Sequence, residues 1–228
     1  MFMNVANKKA LRIVGLLLIF LVPIHLTLFF ISIFPFFREP QPFIPGLAYA
    51  FSNWIVFVLF LFLLRKIGIG LKNIGLGKAK MKDLLYAFLF FLIGIAIFWA
   101  TTPLFDALCL EKMRGMEYSI KSKDEILILL FYAVITAPIC EEIFFRGYGI
   151  TTIGKWTRNP WIAGLICNLA FALMHLPAFG LRGFVQIGLI WALLPMTLFI
   201  WRKSLYPGII MHAMNNTFAY IVVPLLLT

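Results

Sequence analysis

Acidic residues are scarce in this chain: nine Asp and Glu stand against twenty Lys and Arg in 228 residues, and charged side chains make up only 13% of the total. A soluble domain carries about 25% charged residues. With 63% hydrophobic residues and a mean hydropathy of +0.99, the chain cannot clothe itself in polar groups. A soluble enzyme, a disordered regulator and a secreted disulfide scaffold are excluded. Cysteine is also rare. Cys109, Cys140 and Cys167 have no CxxC spacing, so they read as packing residues rather than as a zinc knuckle or redox pair. The sequence further lacks an HExxH helix, a GxSxG elbow, internal repeats and a small-residue cleavage site after its first apolar run. The formal charge of +11 does not argue for nucleic acid, because basic residues between apolar runs report membrane orientation instead.

What is present is apolar length. Runs near 11–34, 46–64, 83–105, 125–145, 160–178, 181–200 and 205–227 are compatible with the roughly 20 residues that a spanning helix needs. The prediction is an all-α, polytopic integral membrane protein of about seven transmembrane helices, one continuous membrane domain. With the N-terminus in the cytoplasm, the inner segments hold 14 of the 20 Lys and Arg and the outer ones, including Arg38, Arg114 and Arg182, hold 6. That bias predicts a cell-membrane protein with a cytoplasmic N-terminus and an outer C-terminus. Trp156, Trp161 and Trp201 then fall near the inner interface, which suits amphipathic rings. The stretch from Ile67 to Lys82 carries four glycines and four lysines. It lacks the strand-to-helix setting of a phosphate loop, and its lysines are expected to rest on anionic lipid headgroups.

An ionisable group inside hydrocarbon costs about 2.5–3.5 kcal/mol on insertion scales, so it needs a partner and a purpose. Seven of the nine acids, Glu39 and Glu117 among them, fall in loops or at span ends; Glu141 and Glu142 do not. Glu142 and Arg146 are four residues apart with the acid first, the favoured order for a pair on one helix face. Glu141 is turned by about 100° from Glu142 and is left free. Pro138, three residues earlier, removes a backbone hydrogen bond and invites a kink through which water can enter. His175 shares a helical stripe with Phe171 and Asn168, and His212 shares one with Asn216. Phe171 reads as packing that shapes the site. His25 has no polar companion nearby and reads as a packing residue.

Brought to one cavity, these groups suit amide hydrolysis. Glu141 and His175 would hold and deprotonate a water, and His212 with Asn216 would donate to the oxyanion. Glu141, His175 and His212 would alternatively serve as ligands of a catalytic Zn2+, although Asn216 and an Arg-paired Glu142 suit hydrogen bonding better than ligation. Two further alternatives are a non-enzymatic immunity or scaffold protein, held together by the cluster, and a proton-coupled transporter. The latter lacks a repeated half or paired broken helices. One tension stands: the apolar boundaries put His175 toward the outer end of its span, whereas Glu141 lies toward the inner end of its own.

The motifs EExxxR (Glu141, Glu142, Arg146), FxxxH (Phe171, His175) and HxxxN (His212, Asn216), in that order, resemble the signatures of the CAAX prenyl protease type II and bacteriocin-processing (CPBP, or Abi) intramembrane proteases. The resemblance covers roughly Ile126 to Tyr220. It implies a catalytic membrane core over 126–228, preceded over 1–125 by about three further spans and the basic interfacial segment. It also implies that Glu141 is the water-activating acid, His175 its partner, His212 and Asn216 the oxyanion donors, and Glu142 with Arg146 the supporting pair. Members are often called metalloproteases, yet a metal-free glutamate mechanism is also argued. The implied substrates are membrane-associated or prenylated proteins and peptides; family activities extend to bacteriocin processing and self-immunity.

Overall fold

The computed structural model describes residues 5–38, 43–113 and 119–226; Glu39, Arg114 and Glu117, read from the sequence as lying outside the spans, are not among them. Every regular element among the described residues is helical. Hydrocarbon demands this, because a backbone without water must satisfy its own N–H and C=O groups, and a helix does so within one segment. Among the described residues, six helical stretches are long and apolar enough to cross a membrane: α1 (Ala6–Ile33), α2 (Ile44–Ile67), α3 (Met81–Ala107), α4 (Lys123–Thr157), α5 (Pro160–Arg202) and α6 (Tyr206–Leu226). Phe62 and Trp99, each 65% exposed, lie on the outer faces of α2 and α3, as lipid permits and water would not.

Hydropathy alone counts seven runs where the helices count six, and the difference lies in α5. Its 43 residues would reach about 65 Å if straight, twice the hydrocarbon thickness. Instead the helix breaks at Gly180, whose φ of 70° and ψ of −170° are open in practice only to glycine. The two arms then fold back on each other. Asn168 Nδ2 on the first arm donates to the carbonyls of Gly188 (3.0 Å) and Leu189 (3.3 Å) on the second. The expected runs 160–178 and 181–200 are these two arms. α3 lies along the second arm and is pinned at both ends. Asp106 accepts from Arg182 at 2.6 Å, and Asp83 accepts from Arg202 at 3.2 Å.

Small residues let the arms approach closely, as between membrane helices generally. A Cβ at Gly188 would stand 2.4 Å from Ala172 Cα, a backbone atom that cannot step aside. Gly188→Ala is therefore expected to destabilise the protein by about 1–3 kcal/mol and to loosen Asn168 from its carbonyls. Thermal unfolding in detergent reads this; an unchanged midpoint would mean that the arms are not held at this distance.

α4 carries the two buried acids, and it is not a uniform α-helix. Segments Leu130–Thr136 and Glu142–Ile150 are wound as π-helix, with the short α-helical piece Ala137–Glu141 between them. Pro138 has no N–H to give the preceding turn, which accounts for an interruption next to the first of these segments, Leu130–Thr136, but not for the second, which lies downstream of it. α1 and α2 pack on α4 through Phe20 stacked on Phe145 (5.0 Å) and Phe60 edge-on to Phe144 (5.5 Å) and Tyr148 (5.0 Å). Trp54 Nε1 also donates to Thr136 Oγ1 at 2.9 Å. α6 starts part of the way along α4. Leu205 N donates to Gly75 O at 3.0 Å, and a Cβ on Gly147 would meet Ile74 O at 2.9 Å and Leu205 Cδ1 at 2.9 Å.

Candidate active site

These offsets bring Glu141, His175 and His212 to one depth. Glu141 precedes Thr157, the last residue of α4, by 16 residues, and His175 follows Pro160, the first of α5, by 15; helical rise puts each about 22–24 Å from the shared basic turn. His212 lies only one and a half turns into α6, but α6 begins beside Gly147, itself well along α4. The tension over His175 thus disappears, because α4 extends far beyond the apolar run that betrayed it. His175 lies within electrostatic reach of Glu141, His212 and Arg146.

Glu142 is the hub. Its Oε2 faces Arg146 Nε at 3.4 Å, the pair expected from the four-residue spacing, and its Oε1 accepts from His212 Nδ1 at 3.0 Å. All three are buried, at 0%, 1% and 4% exposure. Such charges are tolerated only when their remaining hydrogen-bonding capacity is also met. Arg146 meets part of its own through Nη2, which donates to Ala192 O at 3.1 Å and to Asn168 Oδ1 at 3.5 Å, while its Nη1 and Glu142 Oε2 are buried without a hydrogen-bond partner. Its guanidinium also lies 4.5 Å from the Phe171 ring centroid, a cation–π contact. Phe171 is packing, as expected, wedged between Arg146, Phe145 (5.3 Å) and His175 (4.2 Å).

Glu141 is arranged differently. Its Oε1 accepts from Tyr49 Oη of α2 at 2.5 Å. Its Oε2 is buried without a hydrogen-bond partner and faces His212 Nε2 at 3.8 Å, too far for a direct bond. A buried, unpaired carboxylate oxygen is costly unless something arrives to use it.

Both imidazoles are held by their Nδ1 atoms. The Phe171 carbonyl, 2.8 Å from His175 Nδ1, can only accept, so that nitrogen carries the hydrogen and Nε2 keeps its lone pair. The ring is flanked by Phe171 and, at 5.7 Å, by Phe179. For His212 the Glu142 Oε1 plays the accepting part, and Trp191 meets the ring edge-on at 5.1 Å. Asn216, on the same face of α6 as His212, gives one amide hydrogen to Ala133 O at 2.8 Å, where that carbonyl belongs to the π-helical stretch of α4. The other amide hydrogen is not engaged by that bond. His25 bonds Leu21 O within its own helix at 2.7 Å and lies outside the cluster.

Tyr49 and Asn168 extend the cluster beyond the residues singled out for chemistry. Asn168 was visible on the His175 stripe, though without a role. Tyr49 lay in a run read only for hydropathy; the signal was a polar stripe, Tyr49, Ser52 and Asn53, in an otherwise apolar helix.

As a Zn2+ site the arrangement is incomplete. Glu141 Oε2 and His212 Nε2 face each other and Glu142 orients His212 as a carboxylate behind a metal-bound histidine would. Yet among the described residues no three His, Cys, Asp or Glu side chains cluster closely enough to hold an ion. Residues 123–218 match the family described as Rce1-like, type II CAAX prenyl endopeptidase, the family that the three motifs resemble. The matched stretch runs from the start of α4 into α6 and includes every residue of the three motifs. No curated protein and no solved structure matches the chain.

Proposed function

Starting from the Rce1-like match over residues 123–218, we propose that the protein is an intramembrane endopeptidase that cleaves membrane-associated, CAAX-type prenylated proteins or peptides by glutamate-activated water. The observation that carries this reading is the unpartnered Glu141 Oε2 facing His212 Nε2 across 3.8 Å. A water there has a base on one side, and the His175 imidazole, within electrostatic reach of Glu141, is the second acceptor assigned to orient it. Glu141 takes the water's proton as the oxygen attacks the scissile carbonyl, and passes it to the leaving amine. His212, when protonated at both nitrogens, has its charge balanced by Glu142 and turns an Nε2–H toward the developing oxyanion. The free amide hydrogen of Asn216 is the second donor. No step passes through a metal.

The basic bias of the inner segments supports a cytoplasmic N-terminus and a site reached from the cytoplasmic side of the cell membrane. A prenyl chain suits the lipid-facing surface because it partitions into the bilayer beside the bundle, and prenylated CAAX proteins are the substrate class for which the matched family is named. The test is to incubate purified protein in nanodiscs with a farnesylated peptide ending in a CAAX sequence, and with the same peptide unprenylated, and to read the products by mass. Release of the last three residues from the prenylated peptide is expected. Cleavage of neither peptide would overturn the reading, and equal cleavage would remove prenylation from it. Stoichiometric zinc in active protein, with cleavage abolished by chelation, would replace the metal-free mechanism.

A further inference from the structure

One hydrogen bond ties the site to a helix outside the matched segment. Tyr49 stands in α2, 74 residues before residue 123, where the match begins, yet its hydroxyl donates to Glu141 Oε1 at 2.5 Å. The contact is not incidental to packing. Trp54, five residues later on α2, donates to Thr136 Oγ1 of α4 at 2.9 Å, and Asn53 Nδ2 donates to Tyr49 O at 2.9 Å. A Cβ at Gly46 would stand 2.5 Å from the Tyr132 ring of α4. α2 is thus keyed to α4 on both sides of Tyr49, and the phenol is delivered to the acid by a docked helix.

We infer that Tyr49 is a positioning residue for the reaction: it occupies Glu141 Oε1, fixes the carboxylate plane, and leaves Oε2 as the one oxygen that acts as base. This rests on the proposed peptidase reading and deepens it. The chemistry follows from the count of acceptor sites. A carboxylate at the end of a three-bond side chain has two equivalent oxygens and can rotate to present either one. With Oε1 bonded to a phenol on another helix, exchange of the oxygens requires breaking a short hydrogen bond in a buried place, where such bonds are strong. The remaining oxygen is the one without a partner and the one that faces His212. A base held within about 0.5 Å of its working geometry needs this kind of support from behind. The first three spans, assigned no chemistry by their sequence, therefore contribute to the site.

The test uses the full chain in nanodiscs with three substitutions. Tyr49→Phe removes only the hydroxyl, and 3-fluorotyrosine at position 49 keeps the shape while changing the phenol's acidity. Trp54→Phe removes the neighbouring bond between the same two helices without touching Glu141. Tyr49→Phe is expected to lower kcat by about 10–100-fold, the scale of a misplaced catalytic group, with KM within twofold. Trp54→Phe should lower the unfolding midpoint without that split. The 3-fluorotyrosine protein should fold as wild type does and differ from it in kcat alone. A second readout needs no turnover: the carboxylate stretch assigned by wild-type minus Glu141→Gln infrared difference should shift in Tyr49→Phe. An unmoved band, or an unchanged kcat in a protein where Glu141→Gln is inactive, overturns the inference while leaving the peptidase reading intact. If wild-type protein cleaves nothing, the peptidase reading fails and the positioning role fails with it; the infrared band then reports the hydrogen bond alone.

Discussion

Glu141→Gln is expected to reduce kcat/KM by about 10²–10⁴-fold, the range for loss of a general base, while the protein folds and keeps its unfolding midpoint. The substitution is nearly isosteric. The Gln carbonyl can still accept from Tyr49 Oη, and the amide that replaces Oε2 no longer brings an unpartnered charge into a buried place. Because one carboxylate oxygen, Oε2, is buried without a hydrogen-bond partner, replacing it by a neutral amide is expected to cost little stability, and an unchanged unfolding midpoint separates lost turnover from a folding defect. Peptide cleavage followed by mass, beside thermal unfolding in the same nanodiscs, reads both halves of the expectation. Retained cleavage would remove Glu141 from the reaction and return the cluster to a scaffolding role, in which the acids merely hold helices together.

Arg146→Met should have the largest effect on stability. Arg146 is 1% exposed, and losing one partner of a buried pair leaves the other charge uncompensated, at about 3–5 kcal/mol. Here the abandoned partner is Glu142, and the same change withdraws the bond to Ala192 O and the cation–π contact with Phe171. The double variant Glu142→Gln with Arg146→Met separates the contributions. Neutralising both members should recover part of the unfolding free energy, because no isolated buried charge is left. It should not recover turnover, because His212 Nδ1 then lacks the carboxylate that balances a protonated ring. Denaturant unfolding in mixed micelles measures the first quantity and peptide cleavage the second. A stable, active Arg146→Met protein would mean that Glu142 is held by His212 alone.

Much of this site was legible in the chain. Two adjacent acids in an apolar run, with an arginine four residues on, are costly enough in hydrocarbon to announce a partner, and the partner is the one that the spacing names. His175 with Phe171, and His212 with Asn216, are on shared faces for the same reason of helical period. The turn at Gly180 lies between two runs already separated by hydropathy, although one unbroken helical stretch covers both. What misled was depth. Apolar runs mark where hydrocarbon is, whereas α4 extends on either side of its run, so His175 looked farther from Glu141 than it is.

The chain by itself determined the solvent, the all-helical architecture and the ion pair within one helix, because each of these depends on residues a few positions apart or on summed hydropathy. Only the tertiary structure decided that Glu142 rather than Glu141 bonds His212, that Asn168 ties Arg146 to the hairpin of α5, and that Tyr49 caps the acid from α2. These contacts join side chains 22 to 92 positions apart. No local period connects such residues: they meet because small side chains set how closely the helices pack and because a glycine at position 180 folds one helix back along itself.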